Sequence, residues 1–192
     1  SSLRTIENLL VPKTLAKYSA TSNGLSQFGM IKGMALPLLF FPSALLNSIS
    51  TLLIPEISED AVCGKKQCLK TSVERTISIT RYTGLLFGAV FVILGKEIGI
   101  IIDKDTDVGF LISVLAPIVP LMYLDSICDG ILKGLDAQMF CFRNSIIDSS
   151  IRILLICVLL ERFGLNAFIG IMYFSNFLTC FVYSTYWIYN FN

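Results

Sequence analysis

The chain has 192 residues, 54% hydrophobic and 15% charged, with a net charge of +1 and no histidine, whereas soluble domains are about 25% charged. That much apolar surface exceeds what a water-soluble core hides, and the balanced charge, with no basic cluster interleaved with aromatics, points away from a nucleic-acid partner. The lack of histidine removes the usual general base and the Ser-His and Cys-His nucleophile pairs, so an enzyme is disfavoured and no cofactor is expected.

The long continuous apolar runs predict an all-α, polytopic transmembrane bundle; a membrane β-barrel would alternate over strands of about ten residues. Residues 1–15, SSLRTIENLLVPKTL, place Leu3, Ile6, Leu9 and Leu10 at helical spacing with Arg4 and Glu7 on neighbouring faces, until Pro12 closes the pattern. They lack the order of a secretory leader and read as a partial span, as though a longer protein had been entered inside a helix. Tyr18–Gln27 is rich in small residues and is expected to be a loop.

The first full span is expected over about 28–54. Its core, Gly33–Pro55, holds 23 residues without a charge, close to the roughly 20 that cross a hydrocarbon layer as a helix. Pro37 and Pro42 lie inside it and each removes a backbone donor, so the helix should be kinked or opened there. In lipid the freed carbonyls must find donors on neighbouring helices or in water, which favours a helix that lines an interior. Lys32 sits a turn ahead of the first proline.

Residues 56–75 carry Lys65, Lys66, Lys70 and Arg75 and are expected to form a loop. A second span follows at about 77–102, then the acidic connection Asp103, Lys104, Asp105, Asp107. By the positive-inside tendency the basic loop is cytoplasmic and the acidic one external. A third span, about 108–133, contains Pro117 and Pro120 as further kink positions and continues through Asp125 and Asp129 to Lys133. The fourth, about 144–160, contains Asp148 and Arg152. The fifth, about 165–189, lies in a 30-residue uncharged tail whose Tyr183, Tyr186, Trp187 and Tyr189 gather near the end like an interfacial belt.

Cys128, Cys141, Cys157 and Cys180 fall in or beside apolar runs, where a thiol packs as a small hydrophobe. Cys63 and Cys68 have C-x4-C spacing, but without histidine or a second pair they make a weak zinc signal, and no metal is expected.

Ionisable groups at membrane depth are costly unless paired or hydrated, which makes each a candidate for a site. Asp148 and Arg152 are one turn apart in the favourable order for an ion pair. Asp125 and Asp129 are also one turn apart but share a sign, so they need a cation, a proton or a basic neighbour unless they are simply solvated at the interface. With Glu7, these three aspartates are the candidates for ion coupling. Lys32 either snorkels to the interface or enters a cavity to meet an anionic group such as a phosphate.

The segments IENLLVPKTLAKY, FGMIKGMALPLLFFPSALLNSISTLLIPEISE and LAPIVPLMYLDSICDGILKGLDAQ resemble the C-terminal half of the stage V sporulation protein B family and related polysaccharide-biosynthesis membrane proteins. These belong to the multidrug/oligosaccharidyl-lipid/polysaccharide exporter superfamily. The resemblance implies the second lobe of a two-lobe, alternating-access flippase in the bacterial cytoplasmic membrane. Its substrate would be a lipid-linked saccharide or peptidoglycan precursor with a diphosphate head group, its partners the missing N-terminal lobe and the membrane lipids. In related lipid II flippases an arginine five residues before the first proline of this helix is thought to face the substrate; Lys32 stands at that spacing before Pro37, keeping the charge but not the planar fork. Lys32, Arg152 and Arg4 are accordingly the substrate-binding candidates. Two alternatives are a cation-coupled drug or metabolite exporter of the same superfamily, which would need an acidic, aromatic-lined cavity, and a non-transporting scaffold for envelope assembly, which would need none.

Overall fold

The computed structural model describes residues 5, 9–14, 23–62, 66–103 and 106–191. Among them every regular element is helical. From Asn23 onward these are α1 (Asn23–Met30), a π-helical turn (Ile31–Ala35), α2 (Leu36–Val62), α3 (Lys66–Asp103), α4 (Thr106–Leu115), a 3-10 turn (Ala116–Ile118), α5 (Val119–Gly134), α6 (Gln138–Phe163) and α7 (Leu165–Phe191).

Among the described residues four stretches are long and apolar enough to cross a membrane: Ser26–Ser48, Gln67–Ile102, Asp107–Gly134 and Leu165–Trp187. The chain is thus an all-α, multi-pass membrane bundle. Helix α6 matches them in length, but it carries Arg143, Asp148, Arg152, Glu161 and Arg162 and is not among the four. The outer surface agrees with a lipid environment, since Phe41, Ile93, Ile101 and Phe181 are each about two-thirds or more exposed, a pattern that water would penalise.

The chain runs up and down between two ends. One end holds the starts of α1, α4 and α7; the other holds the α2–α3 and α5–α6 connections. The stretch Asp107–Gly134 is central: 56% of its most apolar part is buried, against 22–33% in the other three. Its α5 portion packs against α2, α3, α6 and α7.

Helix α3 approaches α4 and α5 closely, and glycine makes this possible. Gly84 and Gly88, then Gly95 and Gly99, are buried pairs four residues apart on α3. A Cβ on Gly84 would meet the Pro120 Cα at 2.9 Å, and one on Gly99 would meet the Gly109 backbone at 2.3 Å. Without side chains the backbones can touch, which is the packing that apolar solvent rewards in place of hydrophobic burial.

Pro37 and the Pro117–Pro120 pair coincide with departures from α geometry, whereas Pro42, also expected to kink or open the helix, lies within continuous α-helix. The π turn ends two residues before Pro37, with the Leu36 N–H bonded to the Ile31 carbonyl. A proline at 37 can donate to neither the Lys32 nor the Gly33 carbonyl, and a π turn is one way a helix absorbs the mismatch. The 3-10 turn contains Pro117, and Pro120 enters the first turn of α5. Beside each break a carbonyl receives a tyrosine hydroxyl from another helix: Tyr123 of α5 donates to Leu39 at 2.6 Å, and Tyr173 of α7 donates to Val114 at 2.7 Å.

Two connections differ from expectation. Within the segment expected as a loop over 18–27, the described residues 23–27 are helical. Segment 56–75 is helical over 56–62 and again over 66–75. Charged and polar residues there mark where the membrane stops, whereas the helix itself continues into water because Glu, Lys and Gln are good helix formers. The hinge between α6 and α7 is Gly164, at φ 57° and ψ −137°, a region that a residue with a Cβ rarely adopts.

Candidate functional site

Phe28 of α1 packs edge-on against Phe168 of α7, ring centroids 5.2 Å apart, and fixes a common level near the first end. At ~1.5 Å per residue, Lys32 lies about 6 Å further along its helix and Ser175 about 10 Å further along α7. Lys32 occupies the π turn, half-buried, with its ammonium 6.0 Å from the Phe28 ring centre. That turn packs against α4.

Ser175 donates to the Asp148 carboxylate at 2.5 Å across the α6–α7 interface. The local spacing suggested Arg152 as the partner of Asp148; the structure turns the carboxylate toward α7. Because α6 runs back toward the first end, Arg152 lies about 6 Å nearer the phenylalanine pair than Asp148. Lys32 and Arg152 therefore sit at nearly the same depth.

Beyond Asp148, toward the second end, a polar cavity of about 320 Å³ opens between α2, α5, α6 and α7. Asp125, Asp129 and Asp148 all line it, together with Asn144, Asn176 and Thr179. Asp129 forms an ion pair with Lys133 one turn on, so a basic neighbour offsets one of the two like charges on α5. Tyr183 also points its hydroxyl at Asp129, at 3.5 Å. Ser126 donates to the Asn47 side-chain carbonyl at 3.0 Å, tying α5 to α2. Asp129 and Ser145 also line a larger, open cleft of about 640 Å³ at the α5–α6 connection.

Phe40 and Met122 supply apolar wall, and the polar part of the lining is carboxylate, amide and hydroxyl groups, whose oxygens suit a proton or a hard cation and not soft metals. Among the described residues no three Asp, Glu, His or Cys side chains converge closely enough to hold a metal ion between them. The three aspartates share one cavity without forming a single cluster.

Of the sites expected from the sequence, Asp125, Asp129 and Asp148 come together, while Lys32 stands apart from them. Arg4 and Glu7 lie outside the described residues. Asn144, Asn176, Ser175 and Thr179 were not singled out by sequence reasoning. Their signal was available: Asn144 and Asp148 are one turn apart, as are Ser175 and Thr179, so each pair presents polar groups on one face of an otherwise apolar helix.

Over 157 residues, 81% of this chain, the sequence is 27% identical to Stage V sporulation protein B of Bacillus subtilis (strain 168). The match agrees with the resemblance carried by the proline-containing segments. The chain spans 30% of the length of that relative. No family model and no solved structure matches the chain.

Proposed function

We propose that this chain forms one lobe of a flippase that moves a lipid-linked saccharide or peptidoglycan precursor across the bacterial cytoplasmic membrane during envelope or spore-wall synthesis. The observation that carries the reading is the oxygen-lined cavity, with its three aspartates, inside an otherwise apolar bundle. Asp125, Asp129 and Asp148 are each half-buried, and carboxylates at membrane depth are costly unless paired or hydrated, so a purely structural bundle has little to gain from three of them around one cavity.

In this reading the lobe has two electrostatic zones. Lys32 and Arg152 attract the diphosphate head group while the lipid tail stays in the bilayer. The cavity aspartates take up the coupling proton or cation. The π turn before Pro37 and the 3-10 turn at Pro117 are the points where α1–α2 and α4–α5 bend as access alternates. A second lobe of the same protein closes the substrate path, and the basic second end, with Lys66, Lys70, Arg75 and Arg143, faces the cytoplasm.

One observation favours a second reading. The polar cavity is lined by carboxylates and bordered by Phe40 and Tyr183, which also suits a cation-coupled exporter of drugs or metabolites. A scaffold without transport is disfavoured by the same cavity.

The test is translocation of a fluorescent lipid-linked precursor in proteoliposomes by the protein as the cell makes it. Lys32→Ala is expected to slow the reaction about 10- to 100-fold, the loss of one charged hydrogen bond, while Lys32→Arg retains it. Undiminished activity in Lys32→Ala would remove Lys32 from the mechanism. Transport of organic cations, with none of the lipid, would establish the second reading.

A further inference from the structure

Helix α3 packs through one side only. Its buried residues Thr80, Gly84, Gly88, Gly95 and Gly99 share the face that meets the neighbouring helices. The opposite face carries Ile79, Tyr82, Leu86, Ala89, Ile93 and Ile100, all exposed, and the crossing it belongs to is the least buried of the four. With Lys96 these residues recur at alternating spacings of three and four, the seam along which one helix packs against another.

An apolar seam suits lipid as well as protein, but two charges on it do not. Lys96 and Glu97 are both exposed there, between Ile93 and Ile100. A Cβ on Gly109 would meet the Lys96 Cα at 2.8 Å, and Gly109 lies within the uncharged run Val108–Leu124, so the two charges stand at apolar depth. They are about 10 Å inward of Asp103, where charge resumes on α3. As sequence neighbours they point about 100° apart and cannot pair with each other. Among the described residues no ion pair offsets either one. Facing lipid at that depth, both are costly unless paired or hydrated.

We infer that this face of α3 is a homodimer interface, in which the Lys96 ammonium of each copy pairs with the Glu97 carboxylate of the other. Measured around the helix from Ile93, Lys96 lies about 60° to one side and Glu97 about 40° to the other. A two-fold axis along the membrane normal sets the α3 helices of two copies parallel, at one depth and face to face. That axis exchanges the two sides of the seam, so Lys96 of one copy meets Glu97 of the second, and the same pair forms again in reverse. A partner helix with a single charge would leave one member unmatched, whereas a second copy matches both. Arg75 falls on the same face, but about 27 Å from Ile93 in the polar start of α3, where water and salt screen like charges. The interface goes beyond the transport reading and does not depend on it.

The experiment uses membranes containing the protein as the cell makes it. Ile93→Cys and Leu94→Cys are each oxidised with copper phenanthroline, and the unsubstituted protein gives the baseline from native thiols. Ile93→Cys is expected to yield a disulfide-linked dimer on a non-reducing gel. Leu94→Cys, equally at the surface but about 100° around the helix, is expected to stay at baseline. Added to Ile93→Cys, either Lys96→Glu or Glu97→Lys sets like charges against one another and is expected to cut the dimer yield about 10-fold or more, the loss of two polar contacts between membrane helices. Lys96→Glu combined with Glu97→Lys restores the yield, which a damaged fold could not do. Three outcomes overturn the proposal. They are baseline yield at position 93, as when lipid or another helix of the same chain covers the face, equal yields at positions 93 and 94, and a yield indifferent to the single charge reversals.

Discussion

The Ser175 hydroxyl on α7 donates to the Asp148 carboxylate on α6 at 2.5 Å, so the two helices that form one wall of the polar cavity are joined through the carboxylate that the proposed mechanism titrates. A bond of this kind can serve both packing and coupling. Protonating Asp148, or placing a cation beside it, changes what Ser175 meets and hence how α6 rests against α7.

Asp148→Asn separates the two roles. The amide oxygen still accepts from Ser175, so the fold is expected to survive with a change in thermal midpoint of a few degrees or less. Precursor translocation driven by an ion gradient is expected to fall by at least 10-fold, because the group can no longer exchange charge. Gradient-driven transport at the unaltered rate would take Asp148 out of the coupling.

Tyr123→Phe and Tyr173→Phe probe the proline breaks. Each removes one hydroxyl from a carbonyl within a few residues of a proline, and hydrogen bonds between membrane helices average about 0.6 kcal/mol with a maximum near 1.7. Tyr123 is buried to 1% exposure, out of reach of replacement water, so its variant is expected at the upper end. Unfolding in mixed detergent–lipid micelles should show both variants destabilised, with Tyr123→Phe the more so.

Gly99→Ala tests the backbone contact between α3 and α4. A Cβ there would meet Gly109 at 2.3 Å, a distance that forces the helices apart, and overpacking of this kind costs about 1–3 kcal/mol. Gly170→Ala, where nothing lies within 4 Å of an added Cβ, should be neutral or slightly stabilising. Comparable melting of the two variants would show that the α3–α4 approach is looser than described.

Helix class and four of the five expected crossings were legible along the chain, because they depend on local composition; the fifth, expected over 144–160, is not among the stretches apolar enough to cross, and the aspartates were visible only as charges at membrane depth. Lys32 was legible as an isolated charge beside Pro37, and so were the two proline pairs. The ends of the helices were not: polar residues 56–75 mark the edge of the apolar layer, and nothing in hydropathy tells a loop from a helix continuing into water.

By itself, then, the sequence determined that this protein is a bundle of membrane-crossing helices carrying a few expensive charges, since the transfer of apolar and ionised groups into hydrocarbon depends on the residues alone. Only the tertiary structure decided which charges meet. Asp125, Asp129 and Asp148 line one cavity, Asp148 accepts from Ser175, and Lys32 shares a depth with Arg152. These relations depend on how each helix is rotated about its axis and shifted along its neighbours. Contacts such as Gly84 against Pro120 and Tyr123 on Leu39 set that arrangement, and those pairs are distant in the chain.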